Sequence, residues 1–222
     1  MSKYSIFDVI GPIMVGPSSS HTAGAARMAK VTRILCDEEI KSVKFYLHGS
    51  FAQTYKGHGT DRALIAGILG FEPDDERLRD AFTYAKESNL DYEFIETSLG
   101  DVHPNTVKFE VLTVSGNQKE VIGSSIGGGN IEILSIDGNE IELSLDKTNI
   151  ITSHKDVPGV IFEITKLISS ENINIANMKV VQKEKGQKAN MFIEIEASLT
   201  ADFVEKLKQI DAIENIMVVN PM

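Results

Sequence analysis

The spacing of apolar positions changes period several times along this chain. Small and apolar residues dominate Ala23 to Ile40, which predicts a helix. Ser42–Leu47 then alternates, with Val43, Phe45 and Leu47 on one side, as a half-buried strand does. Helical character returns over Asp61–Leu69 and again over Asp74–Ser88. The acidic opening of the second, Asp74, Asp75 and Glu76, suits the positive end of a helix dipole. From Tyr92 the period becomes two. Tyr92–Glu96, Thr106–Val114, Glu120–Ile126, Ile131–Ile136 and Glu140–Leu145 read as strands, with Asp137-Gly138 as a hairpin turn.

The last part reads as a unit of its own. A short strand Asn149–Ser153 leads through Val157-Pro-Gly159 into a helix, Val160–Ser170, with Ile161, Ile164, Leu167 and Ile168 on one face. Strands Ile175–Gln182 and Ala189–Ala197, a helix Ala201–Gln209 and a strand Ile213–Val219 follow. That order is βαββαβ, a ferredoxin-like unit. The expected class is therefore α/β (α+β), with a mixed domain over 1–146 and a small ferredoxin-like domain over 149–222. The open sheet edge of the second is suited to pairing with another copy.

Charge and composition narrow the function. A net charge of −10 over 222 residues argues against a broad phosphate-binding surface, which needs clustered Lys and Arg. The start of the chain lacks the basic head and apolar centre of a secretory signal. No uninterrupted apolar run reaches the length of a membrane span. Cys36 is the only cysteine; alone it forms no internal disulfide and holds no zinc or iron–sulfur site. A soluble protein of the cytoplasm is expected, with no metal held by this chain.

Five polar clusters carry candidate chemistry. Gly16-Pro-Ser-Ser-Ser-His-Thr22 sits at a helix start, where Ser19 or Ser20 is suited to cap the first turn. Unpaired amides there also suit a carboxylate, with Ser18, Ser19, Ser20 and Thr22 adding donors and His21 able to shuttle a proton. Gly57-His-Gly-Thr-Asp-Arg62 has the same layout, with His58 as a plain surface histidine or a site residue and Thr60 or Asp61 as a cap. Val102-His-Pro-Asn-Thr106 offers His103 as acid or base and Asn105 as an amide donor, or else is an ordinary turn. Ser124-Ser-Ile-Gly-Gly-Gly-Asn130 places Ser125, Gly127 and Gly128 in a flexible turn or an anion nest. It is neither a Rossmann nor a Walker loop, which disfavours nucleotide binding. In the last unit, Asp156-Val157-Pro158-Gly159 opens a helix, and Asn174, Ile175 and Asn177 stand at the next strand. They form either an amino-acid site or plain architecture.

Family resemblance bears on these alternatives. His154-Lys-Asp-Val-Pro-Gly-Val160 and Asn172-Ile-Asn-Ile-Ala-Asn177 resemble an ACT domain, the small amino-acid-sensing module of metabolic enzymes. The whole chain resembles the β chain of iron–sulfur-dependent L-serine dehydratase. The carrying residues run from FDVIGPIMVGPSSSHTAGAARMA through YKGHGTDRALIAGILG and VHPNT to SSIGGGNIEI.

The resemblance implies an allosteric-substrate-binding-type first domain and conversion of L-serine to pyruvate and ammonia. It places a [4Fe–4S] cluster in a separate α chain, acting as Lewis acid on the serine hydroxyl. It further implies that His21, His58 and His103 are the proton-transfer candidates. Ser18, Ser19, Ser20, Thr22, Thr60, Asn105, Ser125, Gly127 and Gly128 would then meet substrate, and Asp156, Val157, Pro158, Gly159, Asn174 and Ile175 an effector. Expected partners are the α chain, a small amino acid and a second copy through the ACT domain.

Three rivals stand beside this reading. The first is a purely regulatory amino-acid-sensing subunit without catalytic residues. The second is a serine hydrolase, disfavoured because the adjacent Ser20 and His21 cannot be assumed to form a nucleophile–base pair. The third is an interaction scaffold.

Overall fold

The computed structural model describes residues 12–184 and 187–221. The chain divides into two compact units, Met1–Glu142 and Leu143–Met222.

In the first unit a π-helical segment, Ser19–Gly24, runs into helix α1, Ala25–Cys36. Strand β1 (Ile40–His48), helix α2 (Gly49–Thr54) and helix α3 (Thr60–Ile68) follow. A 3-10 turn, Glu76–Asp80, precedes α4 (Ala81–Glu87) and β2 (Asp91–Thr97). Then come β3 (Thr106–Thr113), β4 (Gln118–Gly127), β5 (Asn130–Ile136) and β6 (Asn139–Ser144). The sheet order is β2-β1-β3-β4-β5-β6. β1 and β2 are parallel, while β1–β3, β3–β4 and β4–β5 are antiparallel. Strand side chains alternate as the period of two requires: Val43, Phe45 and Leu47 of β1 and Val107, Phe109 and Val111 of β3 are buried.

Several expected elements shift. The helix expected to reach Ile40 stops at Cys36, because Asp37 turns left-handed (φ 52°) and Ile40 opens β1. The cap is Ser18 rather than Ser19 or Ser20: its Oγ accepts from the His21 amide at 3.1 Å. The helix expected over Asp74–Ser88 is two pieces, since Asp75 caps a 3-10 turn by accepting from the Arg77 amide. At α3 neither Thr60 nor Asp61 caps by side chain; left-handed Gly59 (φ 68°) makes the turn instead.

The second unit runs β7 (Thr148–Lys155), α5 (Val160–Ser170), β8 (Ile175–Glu184), β9 (Lys188–Ile195), α6 (Ala201–Lys208) and β10 (Ile213–Val219). Its sheet order is β10-β7-β9-β8, with each neighbouring pair antiparallel. This is the ferredoxin-like arrangement. Ile164 and Ile168 of α5 and Phe203 and Leu207 of α6 close over Ile150, Met191, Ile193 and Ile216. β8 lies at the sheet edge.

Candidate functional site

Four of the polar clusters meet at one end of the six-stranded sheet. The register puts Leu47 opposite Val107 and Thr106 opposite Ser124. The end of β1, the start of β3 and the end of β4 therefore lie side by side.

The first cluster forms around a π-helical turn, a feature common where a helix serves a function. His21 is half-buried within it. Its Nδ1 lies 3.2 Å from Ser20 Oγ and its Nε2 3.0 Å from Ser50 Oγ, so both ring nitrogens are engaged. Phe51 meets the ring edge-on at 5.1 Å, and the His58 ring stands 4.9 Å away, tilted by 41°. Burial, and then the neighbouring His58, hold His21 below the usual imidazole range. It is thus neutral at neutral pH.

His58 is exposed, and among the described residues its ring nitrogens have no hydrogen-bond partner. Its position is fixed by its backbone: Thr22 Oγ1 donates to the His58 carbonyl at 3.1 Å. That bond ties the first and second clusters together. Two residues on, Thr60 is fully buried, and its Oγ1 has no hydrogen-bond partner among the described residues. Burial pushes the Asp61 carboxyl up, opposed by the Arg62 amide donating to it at 2.8 Å.

The third cluster leans on α2. Pro104 O accepts from the Phe51 amide at 3.4 Å, and Asn105 O accepts from the Ser125 amide at 2.9 Å. Gly49, with φ 56°, sits where a β-carbon would lie 2.7 Å from Pro104 O, so the approach requires glycine. His103 itself is exposed, and its Nδ1 accepts from the Asn105 amide at 3.1 Å. A neutral His103 ring therefore carries its proton on Nε2 and faces outward as a donor. No ring contact or hydrogen bond joins it to His21 or His58 among the described residues. Thr106 Oγ1 donates to His103 O at 2.6 Å, which leaves Ser124 Oγ as the donor in their 2.6 Å contact.

Ser125 is fully buried against Gly24 of the π-helical turn, and its Oγ has no hydrogen-bond partner among the described residues. A β-carbon at Gly24 would stand 2.1 Å from Ser125 Oγ and 2.8 Å from Ser125 Cβ. Gly24→Ala is expected to destabilise the chain by about 1–3 kcal/mol through overpacking, read from denaturant midpoints. Ser125→Gly in the same chain should restore most of the loss; simple addition of the two effects would show that these residues do not touch. Gly127, Gly128 and Gly129 all take positive φ in the β4–β5 turn. Arg27 Nη1 donates to Gly129 O at 2.8 Å and holds that turn. Ser19 is half-buried and makes no side-chain hydrogen bond among the described residues.

In the second unit Val157, Pro158 and Gly159 are exposed at the start of α5, with Gly159 at φ 100° as its cap. Asp156 is half-buried, and its carboxylate accepts from the Gln182 amide group. Asn174 and Asn177 are exposed, and Ile175 is half-buried.

Sequence reasoning missed Ser50. It lies 29 positions from His21, in a six-residue helix whose composition carries no helical period, so nothing in the string marks it. A cavity of about 470 Å³ does open on the first unit, but at the opposite end of β1 and β3. Of its lining, Glu110 and Glu120 both pair with Lys108, and Lys119 pairs with Asp137. Cys36 is buried in α1, and burial pushes its thiol up to about 11. Such a thiol stays protonated and is a poor metal ligand. Among the described residues no three His, Cys, Asp or Glu side chains gather as a metal site.

Residues 5–93 match the family described as serine dehydratase beta chain, and residues 150–218 the AHAS small subunit-like ACT domain. The L-serine dehydratase beta chain of Peptoniphilus asaccharolyticus is 45% identical over 201 residues, covering 90% of both chains. The probable L-serine dehydratase beta chain of Bacillus subtilis is 41% identical over 210 residues, covering 95% of both. A D-3-phosphoglycerate dehydrogenase of Methanocaldococcus jannaschii is 26% identical over 200 residues, which are 88% of this chain and 37% of that protein. With identity this high along nearly the whole length, the chain belongs to the L-serine dehydratase beta-chain family.

Proposed function

We propose that this chain is the β subunit of an L-serine dehydratase complex, which deaminates L-serine to pyruvate and ammonia in the cytoplasm. The observation that carries the reading is the His21–His58 pair, 4.9 Å apart with one ring engaged and the other open. His58 takes the α-proton of serine, the β-carbon–oxygen bond breaks, and hydroxide leaves. The resulting enamine tautomerises to an imine, which water hydrolyses to pyruvate and ammonia. A neutral His21 beside His58 favours that step, because a second positive charge would oppose proton uptake. The exposed Nε2 of His103 donates toward developing negative charge. Ser18, Ser20, Asn105 and the Gly127–Gly128 turn orient the amino acid around these rings, with Ser19 beside them, while Thr22, Thr60 and Ser125, expected to meet substrate, are fully buried behind the site.

The [4Fe–4S] cluster of the complex belongs to a separate α chain, since the residues here do not fit one: the single thiol is buried and protonated. Among the described residues no helix is long and apolar enough to cross a membrane. Co-expression with a multi-cysteine α chain should yield a brown complex that forms pyruvate from L-serine. A colourless chain that recruits no partner and supports no deamination would refute the reading.

The second unit senses an amino acid through Asp156–Gly159, Asn174 and Ile175, and associates with a second copy along β8. Met178 and Val180 of β8 and Ile161 and Phe162 of α5 are exposed apolar residues, and an unpaired edge strand is a template for pairing. Val180→Asp is expected to shift the sedimenting species of the full chain from dimer to monomer. A wild-type chain already monomeric at the same concentration would exclude this pairing. One observation favours a purely regulatory reading: the stretch recurs in a protein named for a different reaction. In that case changes at Ser18–Thr22 would move the serine dependence and leave the maximal rate intact.

A further inference from the structure

The hydrogen bonds around His21 can be ordered by their distances and by the single proton each hydroxyl has to give. Ser18 Oγ accepts from the His21 amide at 3.1 Å. Ser20 Oγ lies 3.5 Å from that same oxygen but 3.2 Å from His21 Nδ1. A hydroxyl has one proton to give, and the closer, uncommitted acceptor is the imidazole lone pair. The shorter contact has Ser20 donating to Nδ1. The neutral ring then carries its proton on Nε2, which points at Ser50 Oγ 3.0 Å away.

The opposite order would spend the Ser20 proton on an oxygen that already receives an amide, at the longer distance. It would also require Ser50 to donate to Nε2.

Ser50 is held for this task from both sides. Gly49 before it takes φ 56° against the backbone of Pro104, and Phe51 after it is fully buried with its amide on Pro104 O. Thr54 Oγ1 donates to the Ser50 carbonyl at 2.7 Å. Its hydroxyl has no other partner than His21 among the described residues.

We propose that Ser50 is a positioning residue: it accepts from His21 Nε2–H, locks the tautomer and plane of that ring, and so leaves His58 as the imidazole that exchanges a proton with substrate. The functional half rests on the pocket being the elimination site; the tautomer does not. Long-range proton–nitrogen correlation spectra of the full chain read the tautomer directly. Wild type is expected to show Nε2–H at His21, Ser50→Ala a mixture of both tautomers, and Ser50→Thr a return to Nε2–H. A wild-type ring protonated on Nδ1, or a Ser50→Ala ring identical to wild type, would overturn the proposal.

In the complex with its α chain, Ser50→Ala should lower kcat about tenfold with little change in KM, and Ser50→Thr should recover it. An unchanged kcat would equally overturn it. Failure of the elimination reading would show separately, as a wild-type complex that does not deaminate serine while the ring spectra still locate the proton.

Discussion

Substituting His58 by alanine is expected to lower kcat for serine deamination by about 10²–10⁴-fold in the complex, the range for loss of a general base. The fold should survive. The ring is exposed, and the bond that anchors this loop uses the His58 carbonyl, not its side chain. Surface changes of that kind usually stay within about 0.5 kcal/mol, so thermal unfolding of the variant should match wild type. His103→Ala should cost less, because that ring already gives Nδ1 to its own turn and offers only a donor.

The pH dependence has a definite sign. Burial and His58 lower the His21 value below 6.5, so the folded state binds fewer protons there than the unfolded chain. Its contribution to stability is full above pH 6.5 and is lost as pH falls through the lowered folded value. Activity should fall over the same acidic range, since a charged His21 repels the proton that His58 must take. A His58→Ala complex retaining most of its kcat would remove His58 from the mechanism.

The sequence made the strands legible because one face of each is buried, so the period of two survives in the string. Val43, Phe45 and Leu47, or Val107, Phe109 and Val111, show this directly. Helix ends were harder to read. The π-helical turn inserts a residue before α1, which moved the cap back to Ser18, and a single left-handed residue, Asp37, cut the same helix short. Helix α2 was invisible: six residues, GSFAQT, give no period, and their role is to carry Ser50 and Phe51 to His21. The histidine motifs stood out as chemistry in the string. Their division of labour did not, because it depends on which ring nitrogens neighbours occupy, and those neighbours are distant in the chain.

Gly67→Ala is expected to be the most damaging small change in the first unit. Alanine is a better helix former than glycine by about 1 kcal/mol, and at an exposed position that gain would dominate. Here the added β-carbon would lie 2.2 Å from Ala26 O, 2.6 Å from Ala29 Cβ and 2.9 Å from Lys30 N. Two of those atoms are α1 backbone, which cannot rotate away. Overpacking of this kind costs about 3 kcal/mol at the top of its usual range, so a net loss of about 2 kcal/mol is expected in denaturant unfolding of the full chain. The effect should also reach the site. α1 continues directly from the turn that holds His21, and α3 begins two residues after His58. Forcing these helices apart therefore pulls on the Thr22–His58 bond and separates the two rings. Adding Ala29→Gly relieves the 2.6 Å contact alone and should return only part of the stability. If Gly67→Ala unfolded at the wild-type midpoint, the close helix contact described here would be wrong, and with it the mechanical link between core packing and the histidine pair.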